Sequence, residues 1–376
     1  MLRGLATVVA LALVATSARA ADPDRSKQLA QQSIDLLEQG DLGGAEAKAQ
    51  QALEADRTNP DANTAMGRLK LLRGDLPAAL NAANVALGKD KTHAGALILL
   101  VRVQAIQEVP DSAVTKLGEL ANTYRDNVGV QLAYGEAQLA AKKWDGAAAA
   151  ATRVLKLQET SVAAMKVLAR SYLGLERPVT AESVLARALE LERDPEALAL
   201  LAGIRYHDKQ LVEARVLLEE AVGKRPGYVE ALNALGCIYV AVQNWESAND
   251  VLQRAIALAP NFYEAWLDIG SAQRGAGQFE AAEQSWKKVL ALQPKVADAY
   301  YNLGVLYLEN EMPKRDRIQQ LTDAVNAFNA YKRGGGQDAQ SDKYVDEARL
   351  LIKQETERRN EELKGPPKDG GGGDNK

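Results

Sequence analysis

The chain has 376 residues, 26% of them charged and 5% aromatic, with a formal net charge of -4, one cysteine and two histidines. This length allows a large buried core, the lack of a clustered basic run argues against a nucleic-acid partner, and a single cysteine excludes an internal disulfide framework. His93 and His207 stand apart, with no cysteine or histidine nearby, so they do not make a zinc site.

The first element reads as a leader. Arg3, an apolar run from Leu5 to Ala15 and the small-residue site Ala18-Arg19-Ala20 predict a cleaved secretory signal over residues 1–20. The run is shorter than the about 20 residues a membrane-spanning helix needs, and no later stretch reaches that length. A lipoprotein would carry a cysteine after the cleavage site, where Ala21-Asp22 stands. The expectation is an exported, soluble periplasmic chain without a lipid anchor or transmembrane segment; retention of residues 1–20 as an anchor is the alternative.

A repeat follows. Ala45, Ala79, Ala113, Ala147, Ala181, Ala214, Ala248 and Ala282 recur every 34 residues, with one interval of 33. The unit is clearest from Val229 to Pro260 and returns from Tyr263 to Pro294. In each, apolar residues recur at helical spacing through two segments of about a dozen residues, joined by a polar turn such as Gln243-Asn244 or Gly277-Gln278. Pro226, Pro260 and Pro294 mark equivalent points. Units starting near Ser26, Pro60, Ala94, Val128, Val162, Pro195, Val229, Tyr263 and Ala297 give nine helix-turn-helix units over residues 26–333. A unit this small cannot bury its apolar faces alone, which predicts an all-α solenoid of stacked hairpins.

Small residues allow the close crossings. Gly236, Gly270 and Gly304 on first helices are expected to face the alanine opening the second helix, Ala248 and Ala282 in the first two cases, and a leucine there should overpack by roughly 1–3 kcal/mol. Leu252, Trp286 and Phe328 supply bulk on second helices, Tyr239 and Tyr307 on first. The third unit departs, with Val101 at the glycine position and Pro110 in its turn. In the last, Asn310 to Arg315 lengthen the turn by eight residues before Ala324, Phe328 and Tyr331 resume the pattern.

After Gly334-Gly335-Gly336 an amphipathic helix is predicted over residues 341–364. Tyr344, Ala348, Leu351 and Ile352 share one face, and Lys343, Glu347, Arg349 and Lys353 the other. It is read as a cap on the stack, with a partner-binding arm as the alternative. Residues 365–376 are too rich in glycine and proline to fold and read as a loose tail.

Trp266, Ile269-Gly270, Ala282, Trp286 and Pro294 in one unit, and Tyr300, Leu303-Gly304, Tyr307, Ala324 and Phe328 in the next, form a pattern that resembles the tetratricopeptide repeat. The resemblance implies a right-handed superhelix whose first helices line a concave groove and whose second helices form the convex back. Helical offsets then place Arg68, Arg102, Lys166 and Arg170 in a more basic N-terminal half, and Glu230, Glu264 and Asp298 in an acidic C-terminal half. Leu71, Ile98, Glu136, Tyr206, Asn233 and Tyr301 complete the candidate groove. An extended or helical peptide of complementary polarity suits such a trough, while plain solvation of the inner face is the competing explanation of the charges. The lysine and asparagine set with which some tetratricopeptide domains clamp a peptide's terminal carboxylate is missing from adjacent repeats.

No catalytic constellation emerges. Cys237 lies in an apolar first helix with no histidine near it and reads as structural. Glu219-Glu220 and Glu361-Glu362 are adjacent, so their side chains diverge and cannot flank one bond. Phosphate-cradling glycine loops, nucleophile elbows and metal-binding helix pairs are missing. The chain is therefore expected to be no enzyme and to need neither cofactor nor metal.

LYLENEMPKRDRIQQLTDAVNAFNAYK and YVDEARLLIKQETERR, in the final 70 or so residues, are similar to periplasmic tetratricopeptide proteins of the myxobacterial gliding machinery. That resemblance implies a scaffold for other envelope proteins in a motility complex. A tetratricopeptide factor in polysaccharide export, secretion or outer-membrane protein assembly is the alternative. Glycan binding through Tyr206 and Tyr301 is disfavoured by the scarcity of aromatic residues.

Overall fold

The computed structural model describes residues 21–312 and 314–364; the leader read at 1–20 and the tail read at 365–376 lie outside the described residues. Eighteen helices pair as hairpins. They are α1 (Pro23–Glu38) with α2 (Leu42–Ala55), α3 (Pro60–Leu72) with α4 (Leu76–Lys89), and α5 (Ala94–Ile106) with α6 (Pro110–Thr123). Next come α7 (Val128–Ala140) with α8 (Trp144–Leu157), α9 (Val162–Gly174) with α10 (Pro178–Leu191), and α11 (Pro195–His207) with α12 (Leu211–Lys224). The last three pairs are α13 (Val229–Ala241) with α14 (Trp245–Leu258), α15 (Tyr263–Gly275) with α16 (Phe279–Leu292), and α17 (Ala297–Glu309) with α18 (Arg317–Arg333). One long helix, α19 (Gln340–Lys364), follows.

Local chemistry sets these boundaries. Asp41, Asn59, Asp75, Asn127, Ser161 and Asp194 cap helix starts by accepting from backbone amides two or three residues on. Pro60, Pro110, Pro178 and Pro195 open helices where a missing amide hydrogen removes nothing. Pro110 thus begins α6 rather than interrupting the third hairpin. Each hairpin turn from the first to the eighth contains one left-handed residue at the same place: Gly40, Gly74, Glu108, Lys142, Glu176, Lys209, Gln243 and Gly277.

Contacts along the stack set its curvature. Each first helix touches the next first helix, from α1 against α3 through to α15 against α17, and no two successive second helices pack in this way among the described residues. The first helices are therefore the inner layer and the second helices the splayed outer one. All eight alanines that mark the period are fully buried, which lets the helices of a hairpin cross closely.

The partner of the inner glycines differs from expectation. A Cβ on Gly236 would lie 2.5 Å from Leu252, one on Gly270 2.4 Å from Trp286 and one on Gly304 2.7 Å from Phe328, so each glycine receives the large side chain and not the alanine. The reason is volume: the missing Cβ is the space into which the bulky ring or leucine projects. At the third hairpin Val101 occupies that space, and α5 packs more heavily on α7 than on its own partner α6.

The solenoid is curled tightly enough to meet itself. The amide of Gly227, in the loop between α12 and α13, donates to the carbonyl of Glu38 at 2.8 Å, and Leu258 reaches to within 3.5 Å of the Cβ position of Gly40. One hairpin further on, Asn261 Nδ2 donates to the carbonyl of Arg73 at 3.1 Å. The turns of the first two hairpins thus rest on the inter-hairpin loops of the sixth-to-seventh and seventh-to-eighth, at the same sequence offset. This seam makes the inner face a walled hollow and not the open trough expected.

The C-terminal end is closed differently. In the long turn Met312 is buried, Gln320 Nε2 donates to the carbonyl of Tyr307 at 2.7 Å, and the Arg315 guanidinium lies 4.7 Å from the centre of the Tyr307 ring. Arg315 also donates to Glu283 at 3.0 Å. Helix α19 lays Ser341, Val345 and Ala348 against α18 and the end of α17, with Tyr344, Leu351 and Ile352 partly buried beside them.

Candidate functional site

The hollow is lined by charged side chains from first helices, and one-repeat spacing brings them into rows. Arg170 on α9 donates to both carboxylate oxygens of Glu136 on α7, at 2.8 and 3.0 Å, and stands 3.8 Å from Glu196 on α11. Lys166, one turn earlier on α9, is 3.0 Å from both Asp194 and Glu196. Burial alone would lower the pKa of Lys166 and Arg170, but the facing carboxylates outweigh it and hold both raised. Burial likewise would raise Glu196, and Lys166 and Arg170 hold it below its ordinary value. Half of the expected basic surface is thus neutralised within the chain.

Arg68 and Arg102 differ. The nearest carboxylate to Arg68 is Glu38, at 4.0 Å, and Arg102 makes no ion pair among the described residues. Burial, reinforced by Arg102 and Arg225, pushes Arg68 down to about 10. Arg225 lies 4.6 Å over the Tyr228 ring, in the loop that forms the seam.

The C-terminal half of the hollow is acidic. Asp268 on α15 accepts from Asn233 Nδ2 and from the Cys237 thiol, each at 3.0 Å across from α13. Burial raises Asp268, and burial and the facing Asp268 carboxylate raise the Cys237 thiol. Burial is also the main cause of the raised Glu264, with Asp268 and Glu230 adding to it. Glu230 and Asp298 are exposed, as is Arg102 in the basic half, so water reaches the hollow.

The remaining candidates scatter. Leu71 and Ile98 are half-buried against the second-to-fourth hairpin core. Tyr206 stands 42% exposed near the end of α11. Tyr301 packs with Tyr331, Phe328 and Tyr344, at ring-centre distances of 5.2, 5.8 and 6.4 Å, beneath α19. The sequence reading missed Asp194, Glu196, Arg225, Tyr228 and Asp268. Asp268 could have been found, because it sits one helical turn beyond Glu264 on the same face. Arg225 and Tyr228 lie in a loop that periodic first-helix offsets skip.

Family profiles described as TPR repeat or tetratricopeptide repeat match residues 31–94, 138–204, 206–269 and 274–311. The chain belongs to the tetratricopeptide repeat family. Among solved structures, it is similar to one titled for the APC/C hetero-tetramer Cut9-Hcn1, with TM-score 0.64 and 14% identity over 86% of this chain and 63% of that one. It thus spans less than two thirds of that tetratricopeptide neighbour. PilF of Pseudomonas aeruginosa matches with TM-score 0.50 and 16% identity, over 58% of this chain and 97% of its own. YrrB, described as a TPR protein with an unusual peptide-binding site, matches with TM-score 0.42 and 22% identity, over 50% of this chain and 100% of its own. No curated protein matches the sequence. No helix among the described residues is long and apolar enough to cross a membrane.

Proposed function

We propose that this tetratricopeptide protein is a non-catalytic, exported scaffold that holds segments of envelope proteins in its hollow and assists assembly of an envelope complex. The observation that carries the reading is the water-reached inner face, where first helices from successive hairpins present charge in rows while the apolar surface is spent on stacking. Such a face recognises polypeptide by polar complementarity. The leader over residues 1–20 supports a periplasmic location, and the resemblance of the C-terminal segment supports the gliding machinery as the complex served.

Photo-crosslinking in intact cells tests this. A crosslinking residue at Glu230, inside the hollow, should trap envelope proteins, motility components among them, whereas one at Val212, 70% exposed on the outer helix α12, should not. Trapping from Val212 alone would place the docking surface on the convex side and end the groove reading. Recovery of export or secretion proteins instead of motility components would move the scaffold to that pathway.

A further inference from the structure

Three guanidinium groups share one stretch of the hollow, where the carboxylate that feels Arg102 is Glu196, already paired with Lys166. Arg68 comes from α3 and Arg102 from α5, while Arg225 comes from the loop after α12, two residues before the seam residue Gly227. Glu38 is the single carboxylate near Arg68, at the outer limit of an ion pair at 4.0 Å. Arg225 makes no ion pair among the described residues, and its Nε is buried without a hydrogen-bond partner. The contrast with Lys166 and Arg170, enclosed by three carboxylates, is sharp. Arg102 and Arg225 stand close enough to Arg68 to help depress its pKa, and the three like charges repel one another.

Guanidinium forks match carboxylate oxygens in pairs, and a partner that supplies them relieves both the repulsion and the orphaned Nε. We propose that Arg68, Arg102 and Arg225 form a carboxylate-binding site that spans the seam and seats the acidic end of a partner polypeptide. The rest of that polypeptide is neutral or basic, because it must pass Glu230, Glu264 and Asp298; a chain acidic throughout would be repelled there. The site differs from a clamp built on adjacent repeats, since its third arginine arrives from the far side of the superhelical turn. It is complete only while the seam is closed. The proposal rests on the scaffold reading and gives the bound segment a direction.

The test uses the full chain and two fluorescent synthetic peptides, one with three glutamates at its C-terminal end after a lysine-containing stretch, the other with glutamates throughout. The first should bind, Arg225→Gln should weaken it about tenfold or more, Arg225→Lys should restore part of the loss, and Arg153→Gln, on the exposed face of α8, should change nothing. Amide exchange at Gly227 should slow when the peptide is bound. Equal affinity for the parent and Arg225→Gln, tighter binding of the all-glutamate peptide, or unchanged exchange at Gly227 each overturns the site. Circular dichroism checks that the variant is folded; if Arg225→Gln loses helix, the exposed Arg102→Gln carries the same comparison. Crosslinking at Glu230 that still traps the partner in Arg225→Gln cells overturns this site and leaves the scaffold reading standing.

Discussion

Gly227 donates its amide to Glu38 from the opposite side of the superhelical turn, and no side chain fits where the two segments meet. A Cβ on Gly227 would lie 2.2 Å from the Leu37 carbonyl oxygen, 2.9 Å from the Gly40 nitrogen and 3.0 Å from the Glu38 carbonyl oxygen, all backbone atoms that cannot turn aside. Gly227→Ala should therefore part the seam while leaving each hairpin intact. Small-angle scattering should show a larger radius of gyration with unchanged helix content; an unaltered scattering curve would refute the seam.

The left-handed turn residues offer a paired test. Glu176 and Gln243, at φ of 57° and 58°, hold a conformation that disfavours residues with a Cβ, so Glu176→Gly or Gln243→Gly should stabilise the chain by up to about 1 kcal/mol. At Gly74, with φ of 76°, alanine would add strain and press on Asn261, whose side-chain nitrogen lies 2.1 Å from the Cβ position. Gly74→Ala should destabilise, and urea titrations of the three variants should separate in these directions.

Trp286 is fully buried, fills the space over Gly270 and donates its ring N–H to the Leu267 carbonyl at 3.0 Å. Trp286→Ala should cost about 3–5 kcal/mol locally. Because hairpins contact mainly their neighbours, hydrogen exchange should accelerate from α15 to α18 and stay slow in α3 to α8. Uniform acceleration would mean that the stack unfolds as one unit.

Two carboxylates of the hollow predict opposite pH dependence. Asp268 is raised above 3.8 by burial, so its contribution to stability is present below 3.8 and lost as pH rises through the folded value; Asp268→Asn should gain on the parent over that rise. Glu196 is held below 4.5 by Lys166 and Arg170 against the opposing effect of burial, so its contribution exists above 4.5 and is lost as pH falls through the folded value. Glu196→Gln should lose to the parent at neutral pH and converge with it in acid. Melting temperatures of the two variants against pH check both slopes.

Removing α19 by stopping the chain after Gly336 should uncover Tyr301, Phe328 and Tyr331, which it covers through Tyr344 and Val345. The expected outcome is binding of a hydrophobic dye and loss of protection confined to α17 and α18. A truncated chain of full stability that loses crosslinked partners would make α19 a docking arm instead of a cap.

The all-helical solenoid was legible because its determinants are local and periodic: the alanine ladder, the helical spacing and the proline and asparagine punctuation each act within one hairpin. Glu136 and Arg170 were both placed on the inner face, but their pairing was not read, although residues one repeat apart meet on neighbouring first helices. What the glycines face was misread because a register gives positions along a helix without saying which side chain leans into a gap. The seam was hidden for another reason. It depends on small rotations accumulated over six hairpins, among them the splayed third one, and no residue pair announces that total in advance.

A ring whose ends overlap without a covalent join has two routes by which a chain enters it. A free terminus can be threaded from either mouth, but a segment tethered at both ends gets in only sideways, after Gly227 lets go of Glu38 and Asn261 of Arg73. For long partners the strength of those contacts would then set the pace of loading and release, making this tetratricopeptide superhelix a split washer whose latch is the rate-controlling part.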